Sequence, residues 1–180
     1  MPPADAAVEA EVLLWAHLRG VDSHGVTRLE AYSRAIDSGA MNVRPEIRVM
    51  SERAGAIFIE GDHAMGPVVT CFAVDRVAEK ARAAGVGWAL IRNTTHQGAM
   101  GYYVEKLALQ GLAGIAVVCN PPNMAPPGAK AAGTHNSPIA FGVPSAERGA
   151  VVFDMATSVA AFGKVTVAKD KGVPLGPDWA

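Results

Sequence analysis

The fold of this chain is decided by residues 86–101, which read VGWALIRNTTHQGAMG. The first six residues form an apolar run that predicts a buried strand, and residues 102–110 have the apolar spacing of a helix. Residues 114–119 are again apolar and β-branched. We therefore predict a strand–helix–strand unit with parallel strands. His96 then lies just beyond the carboxyl end of a strand, where open α/β sheets bind ligands, so its imidazole is a candidate acid or base.

The composition is that of a globular protein and argues against nucleic acid or an anionic membrane as a partner. Half of the 180 residues are hydrophobic, and 16 basic residues against 17 acidic ones leave a formal charge of −1. No apolar run reaches the ~18 residues of a membrane span, and the N-terminus lacks a basic region followed by an apolar one. Cys71 and Cys119 both lie in apolar segments, which favours buried reduced thiols. We expect a cytoplasmic protein.

The remaining pattern predicts an α/β protein that begins with two helices and continues with strands and further helices. Residues 120–128 are rich in proline and predict an ordered loop. The predicted helices cover residues 4–18, 27–38, 67–84, 102–110 and 158–171, and the predicted strands cover residues 47–49, 56–59, 86–91, 114–119, 139–143 and 151–153. Residues 47–59 read as a hairpin.

One polar segment invites a hydrolase interpretation. Asp22, Ser23 and His24 are consecutive, and because consecutive side chains point in different directions we expect no relay among them. A serine hydrolase that uses Ser23 with a distant histidine stays open. Arg28 lies in the same segment, and its planar guanidinium suits bidentate capture of a carboxylate. The structural alternative is that Ser23 or Asp22 caps a helix while Arg28 is solvated.

Familiar signatures for nucleotides and metals are missing. The dinucleotide fingerprint G-x-G-x-x-G is absent, and Lys164 is followed by Val165 rather than by the serine or threonine of a phosphate loop. The histidines lack the spacing of zinc ligands, so no metal site is expected. We expect structural roles for His63 and His135. The segment around Asp154 leads into a predicted helix N-terminus that could hold a phosphate.

Four blocks, at residues 19–28, 93–103, 133–141 and 154–164, resemble the malate/L-lactate dehydrogenase family. This family is distinct from the Rossmann-type lactate and malate dehydrogenases, and it includes ureidoglycolate and sulfolactate dehydrogenases. The resemblance covers nearly the whole chain. It implies a non-Rossmann NAD(P)-binding α/β fold, in which N-terminal helices precede a mixed sheet with helices packed on it.

The resemblance also implies a division of the chain. Residues 1–55 would form an N-terminal helical segment with the substrate-site motif, and residues 56–180 part of the NAD(P)-binding domain. Because family members are longer than this chain, we expect a truncated member whose C-terminal half is missing. Residues 151–153 would then expose a sheet edge, and we expect weak activity or poor solubility.

The family's functional residues map onto this sequence by motif. His96 matches the acid/base histidine, and Ser23, His24 and Arg28 match the segment that binds the substrate carboxylate. The positions that match cofactor-binding segments are Asn120, Thr134, Asn136, Asp154, Met155, Ala156 and Lys164.

The implied reaction moves a hydride between NAD or NADP and a 2-hydroxy or 2-keto acid such as malate, lactate or ureidoglycolate. With its ordinary pKa of about 6.5, His96 would be an imidazolium near neutrality and would protonate the carbonyl oxygen. The full-length family is expected to form homodimers. The alternatives are a non-catalytic nucleotide-binding fragment and the serine hydrolase.

Overall fold

A computed structural model describes residues 1–126, 128–159, 165 and 168–175. Half of the helix predicted at residues 158–171 lies outside these ranges. Within them the elements are α1 (Pro3–Leu18), α2 (Leu29–Asp37), β1 (Arg48–Glu52), β2 (Ala56–Ala64), α3 (Gly66–Ala84), β3 (Trp88–Thr94), α4 (Gly101–Ala108), β4 (Gly114–Val117), β5 (Ile139–Ser145) and β6 (Gly149–Met155). The mixed α/β class expected from the sequence is confirmed.

The first sheet has the strand order β1-β2-β3. β1 and β2 pair in antiparallel fashion, as the hairpin prediction required, and β2 runs parallel to β3. α3 connects these parallel strands and packs Val69 and Ala73 against Ile57 and Ile59. Gly85 ends α3 in the left-handed conformation with φ of 79°, which favours glycine. The βαβ unit of this protein is therefore β2-α3-β3.

The predicted parallel pairing of residues 86–91 with residues 114–119 is wrong. β3 pairs with β2, whereas β4 belongs to a second sheet with the order β4-β5-β6. α4 packs against that second sheet, where a Cβ on Gly142 would lie 2.4 Å from the carbonyl oxygen of Val104. The glycine thus allows the sheet to approach α4 closely, and α4 leads the chain into the second sheet. His96 nevertheless lies two residues beyond the end of β3.

The second sheet is antiparallel throughout. Its covered face contributes Ala140 to the main core, together with Val104 and Leu107 of α4. Its other face is apolar and is left open by the part of the chain that the structure describes, with Phe141, Val151 and Phe153 exposed by 40, 54 and 50%. Among the described residues, β6 has a strand partner on one side only. The exposed edge predicted at residues 151–153 is confirmed.

α1 is attached to both the core and α4. Val12 and Ala16 are completely buried, and the indole Nε1 of Trp15 donates a hydrogen bond of 2.5 Å to Glu105. Arg19 donates to the same carboxylate at 2.9 Å. Because these contacts join α1 to α4, the N-terminal helix supports the chain immediately after His96.

The cysteine prediction is half correct. Cys71 is buried and Cys119 is exposed, because β4 ends at Val117 and the chain has already left the sheet. In the described ranges no helix combines the length and the apolar composition needed to cross a membrane. Among the same residues, no group of three or more His, Cys, Asp or Glu side chains could hold a metal ion.

Candidate active site

His96 lies in the short loop between β3 and α4. Thr95 anchors the loop, since its backbone N–H and its hydroxyl both donate to the Ala64 carbonyl oxygen, at 3.1 and 2.9 Å. Gly66 permits this arrangement, because a Cβ there would lie 2.3 Å from the His96 carbonyl oxygen. The first turn of α3 and the end of β2 therefore fix the backbone at His96.

Three groups surround the imidazole ring of His96. The Tyr32 hydroxyl lies 2.7 Å from Nδ1, and the Gly98 backbone N–H donates to the same nitrogen at 3.2 Å. The ring of His24 stacks on that of His96, with centroids 5.3 Å apart and planes 27° apart. Because a backbone N–H can only donate, Nδ1 acts as an acceptor here. The neutral ring then carries its hydrogen on Nε2.

The first motif folds into two 3₁₀ turns, Asp22–His24 and Val26–Arg28. The Ser23 hydroxyl lies 2.9 Å from Nδ1 of His24, and Nε of Arg28 donates to the Ser23 carbonyl oxygen at 2.6 Å. Ser23 and His24 do contact each other, contrary to expectation, because the tight turn brings adjacent side chains together. Neither helix-capping by Ser23 nor full solvation of Arg28 is found.

Ser23, His24, Arg28 and His96 thus form one cluster, although 68 or more residues separate the first motif from His96 in the chain. Arg28 bonds to Ser23, Ser23 bonds to His24, and His24 stacks on His96. A histidine pair beside a guanidinium can recognise an anion and exchange a proton with it.

The electrostatics of this cluster differ from the expectation for His96. Burial, the Arg28 charge and then His24 lower the pKa of His96 to about 3. Burial and Arg28 lower the pKa of His24 to about 4. The prediction of an imidazolium near neutrality is therefore wrong for the protein without substrate. Both rings are neutral at pH 7, because a buried cation beside Arg28 is unfavourable.

Tyr32 is a site residue that sequence reasoning missed. It lies in α2, is 6% exposed, and uses its hydroxyl to hold Nδ1 of His96. Burial raises its pKa, so the phenol stays protonated. No local motif marks it. Tyr32 lies in a helix and belongs to a buried cluster with Leu13, Met41 and Met65, which is the environment of an ordinary core residue.

His63 and His135, for which structural roles were expected, stand apart from the cluster. Nδ1 of His135 accepts the Ser137 backbone N–H at 3.0 Å within its own turn. His63 is exposed at the irregular end of β2, with a left-handed φ of 54°. Among the described residues, neither contacts His96.

The residues matched to cofactor-binding segments gather at one end of the second sheet. There β4 ends, β5 begins and β6 ends, since Ile139 pairs with both Val117 and Met155. Two loop contacts strengthen this end: the Thr157 N–H donates to the Asn136 carbonyl oxygen, and Met124 bridges to Thr134. The matched residues near this end are Asn120, Thr134, Asn136, Asp154, Met155 and Ala156. Lys164 lies outside the described residues.

Asp154 connects this end of the sheet to the His96 loop. Its carboxylate accepts the Gly101 N–H at 2.7 Å and also a hydrogen bond from the Met100 backbone. Burial raises the pKa of Asp154, and these two hydrogen bonds oppose that rise. The carboxylate therefore caps the start of α4, where free N–H groups and the helix dipole favour a negative charge.

We expect Asp154→Ala to lower the free energy of unfolding by ~1 kcal/mol, the usual effect of losing a helix cap. Urea denaturation followed by circular dichroism measures this change. Asp75→Ala is the control, because Asp75 makes an exposed ion pair with Lys106 at 2.9 Å, and such pairs contribute little. Equal effects of the two substitutions would contradict a capping role.

Comparison with known proteins agrees with the four sequence blocks. A family model described as malate/L-lactate dehydrogenase matches residues 1–180. The malate dehydrogenase of Pyrococcus horikoshii is 38% identical over 180 residues, which are 100% of this chain and 50% of that protein. Ureidoglycolate dehydrogenase (NAD(+)) of Escherichia coli O157:H7 is 34% identical over 175 residues, 97% of this chain and 50% of that protein.

Comparison with solved structures also finds dehydrogenases. The crystal structure of a dehydrogenase from Sinorhizobium meliloti superposes with a TM-score of 0.93 at 33% identity, over 100% of this chain and 53% of that one. This chain spans about half the length of the relatives that it matches. With a family model matched over its whole length, the chain belongs to the malate/L-lactate dehydrogenase family.

Proposed function

We propose that this protein transfers a hydride between NAD or NADP and a 2-hydroxy or 2-keto carboxylic acid, with His96 as the acid and base. The environment of His96 carries this proposal. Nδ1 is occupied by Tyr32 and Gly98, while Nε2 has no partner among the described residues. A buried imidazole with one nitrogen held and the other available suits proton exchange with a substrate.

Arg28 is proposed to hold the substrate carboxylate. Its Nε is bonded to the Ser23 carbonyl oxygen, which orients the guanidinium, and its terminal amino groups have no partner among the described residues. These groups can bind a carboxylate in bidentate fashion next to His24 and His96. Such binding orients the 2-oxygen toward Nε2 of His96 and excludes other poses.

The cofactor is proposed to bind at the end of the second sheet, near Asn120, Thr134, Asn136 and residues 154–156. Asn120 and Thr134 are exposed, and amide and hydroxyl groups suit the ribose and carboxamide of a nicotinamide dinucleotide. The Asp154 carboxylate is engaged by α4, so this segment would contact the cofactor through its backbone or through Met155. When bound, the nicotinamide supplies or accepts the hydride. A role for Lys164 is proposed from the resemblance alone.

Substrate binding should protonate the site. A carboxylate on Arg28 offsets the positive charge that opposes protonation of His96, so the His96 pKa should rise from about 3 toward its ordinary value of about 6.5. Calorimetric titration with oxamate, in buffers of different ionisation enthalpy, should therefore detect proton uptake. The uptake should be largest between these two pKa values and vanish above about pH 8. Oxamate binding with no uptake at any pH would contradict this coupling.

The function is tested by titrating the chain with NADH and NADPH, following nicotinamide fluorescence, and then adding 2-keto acids. Relatives are named malate, ureidoglycolate and L-sulfolactate dehydrogenases, so oxaloacetate, oxalurate and sulfopyruvate form the first panel. We expect one reduced cofactor to bind and to be oxidised when a 2-keto acid is added. A folded chain that binds neither cofactor would contradict the proposal.

Two other functions keep specific support. The exposed apolar face of the second sheet favours a chain that binds nucleotide without turnover. The Ser23–His24 contact favours a serine hydrolase, but a histidine with a pKa of about 4 is a weak general base near neutrality. Labelling of Ser23 by an acylating reagent would favour the hydrolase.

A further inference from the structure

Glu9 is a buried carboxyl group to which the proposed mechanism assigns no role. It lies on α1, is 5% exposed, and neither carboxyl oxygen has a hydrogen-bond partner among the described residues. An unpartnered carboxylate is costly in a protein interior. Burial accordingly raises the pKa of Glu9 to about 7, so the group changes charge near neutrality.

The groups that face Glu9 lie around the His96 loop. Leu13, one turn further along α1, packs with Tyr32 in one buried cluster, so this face of the helix lies against Tyr32. Burial is the main cause that raises the pKa values of Tyr32 on α2 and Tyr103 on α4, and the charge of Glu9 adds to both. The Tyr103 hydroxyl donates to the Gln97 carbonyl oxygen, and the Tyr32 hydroxyl contacts Nδ1 of His96. Glu9 therefore lies behind the loop that carries the proposed acid and base.

The other titratable and charged groups around these phenols are few. The charge of Arg28 in the second 3₁₀ turn opposes the rise in the pKa of Tyr32. Cys71 of α3 adds to the rise in the pKa of Tyr103. Besides burial, Arg28 and then His24 in the first 3₁₀ turn lower the pKa of His96. Among the described residues no cation pairs with Glu9, whose raised pKa has burial as its cause. The charge of Glu9 is therefore uncompensated where it faces Tyr32.

We propose that Glu9 is a positioning residue whose protonation selects which ring nitrogen of His96 carries the hydrogen. This inference rests on the proposed function of His96. With Glu9 neutral, the Tyr32 O–H donates to Nδ1, as the Gly98 N–H does, and His96 presents an N–H at Nε2. With Glu9 ionised, its negative charge attracts the positive end of the Tyr32 O–H dipole, so the hydroxyl hydrogen turns away from His96.

In the second state the Tyr32 oxygen accepts a hydrogen bond from Nδ1–H. The ring stays neutral because Nε2 loses its hydrogen to solvent while Nδ1 takes a proton from solvent. The proton of Glu9 leaves to solvent, so the protein releases one proton in all. The Gly98 N–H lies 3.2 Å from Nδ1 and the Tyr32 hydroxyl 2.7 Å. In the second state the longer contact, that of Gly98, is the hydrogen bond that breaks. Nε2 then presents a lone pair. In the first state Nε2–H donates a hydrogen bond to the oxygen of a 2-keto acid, and in the second Nε2 accepts one from the hydroxyl of a 2-hydroxy acid.

Nitrogen-15 NMR of histidine-labelled protein tests this proposal without cofactor or turnover. We expect His96 to carry its hydrogen on Nε2 at about pH 6 and mostly on Nδ1 at about pH 8.5, on either side of the Glu9 transition. In Glu9→Gln, which keeps the shape but cannot ionise, the hydrogen should remain on Nε2 at both pH values. Tyr32→Phe should also abolish the change, because it removes the group through which Glu9 acts.

Glu11→Gln is the matched control, since Glu11 lies on the same helix with its side chain exposed, and it should behave like the unmodified protein. One tautomer at both pH values in the unmodified protein would overturn the proposal, as would an unchanged transition in Glu9→Gln. A tautomer change in a chain that proves inactive would support this inference while the proposed function fails. The two failures are therefore distinguishable.

Discussion

Replacing His96 by glutamine is expected to lower kcat by ~100-fold or more, the usual contribution of a positioned acid or base. The glutamine amide oxygen can still accept hydrogen bonds from Tyr32 and Gly98, so the loop should keep its shape. What the variant loses is a group at Nε2 that can gain and lose a proton. Steady-state kinetics with the best cofactor and 2-keto acid measure the change.

His63→Asn is the control for this substitution. His63 is exposed and has a left-handed φ of 54°, a conformation that asparagine tolerates. We expect its kcat to equal that of the unmodified protein. If His96→Gln folds and retains its full rate, His96 is neither the acid nor the base.

Replacing Arg28 by glutamine should lower kcat/KM for a 2-keto acid by ~100-fold or more. Removing one partner of a hydrogen-bonded charge pair typically costs 2–5 kcal/mol. The loss should appear chiefly in KM, because Arg28 binds the substrate carboxylate in both the ground state and the transition state. Initial rates over a range of substrate concentrations separate the two parameters.

Arg28→Lys discriminates charge from geometry. Lysine keeps the charge but lacks the planar fork, so we expect it to recover only part of the loss. Arg34→Gln is the control, because Arg34 pairs with Glu30 on the exposed side of α2, away from the described cluster. A normal KM in Arg28→Gln would exclude Arg28 from carboxylate binding.

Local sequence patterns were enough to locate His96 relative to the strands and helices. The apolar run of β3, the polar loop and the buried stripe of α4 each extend over a few residues, so periodicity identifies them. The pairing of β3 and β4 could not be predicted in this way. β3 pairs with β2 and β4 pairs with β5, and in the second sheet Gly142 also packs closely on Val104, 38 residues away in sequence. No local pattern records such contacts between distant segments.

The contacts that the site residues make could not be predicted from the sequence either. Tyr32 is 64 residues from His96, and Asp154 is 53 residues from Gly101. A tyrosine in a helix predicts burial but not the direction of its hydroxyl. The charge state of His96 was also unpredictable, because it depends on burial and on the charge of Arg28, which only the folded chain brings close to it.

The transfer of deuterium from [4,4-²H₂]NADH or [4,4-²H₂]NADPH, which are labelled on both faces of C4, tests the central claim most directly. The chain is mixed with each labelled cofactor and a 2-keto acid, and the product is analysed by mass spectrometry and NMR. The account predicts a 2-hydroxy acid with deuterium at C2, formed ~100-fold or more faster by the unmodified chain than by His96→Gln. A folded chain that binds the cofactor and substrate but yields no labelled product would contradict it.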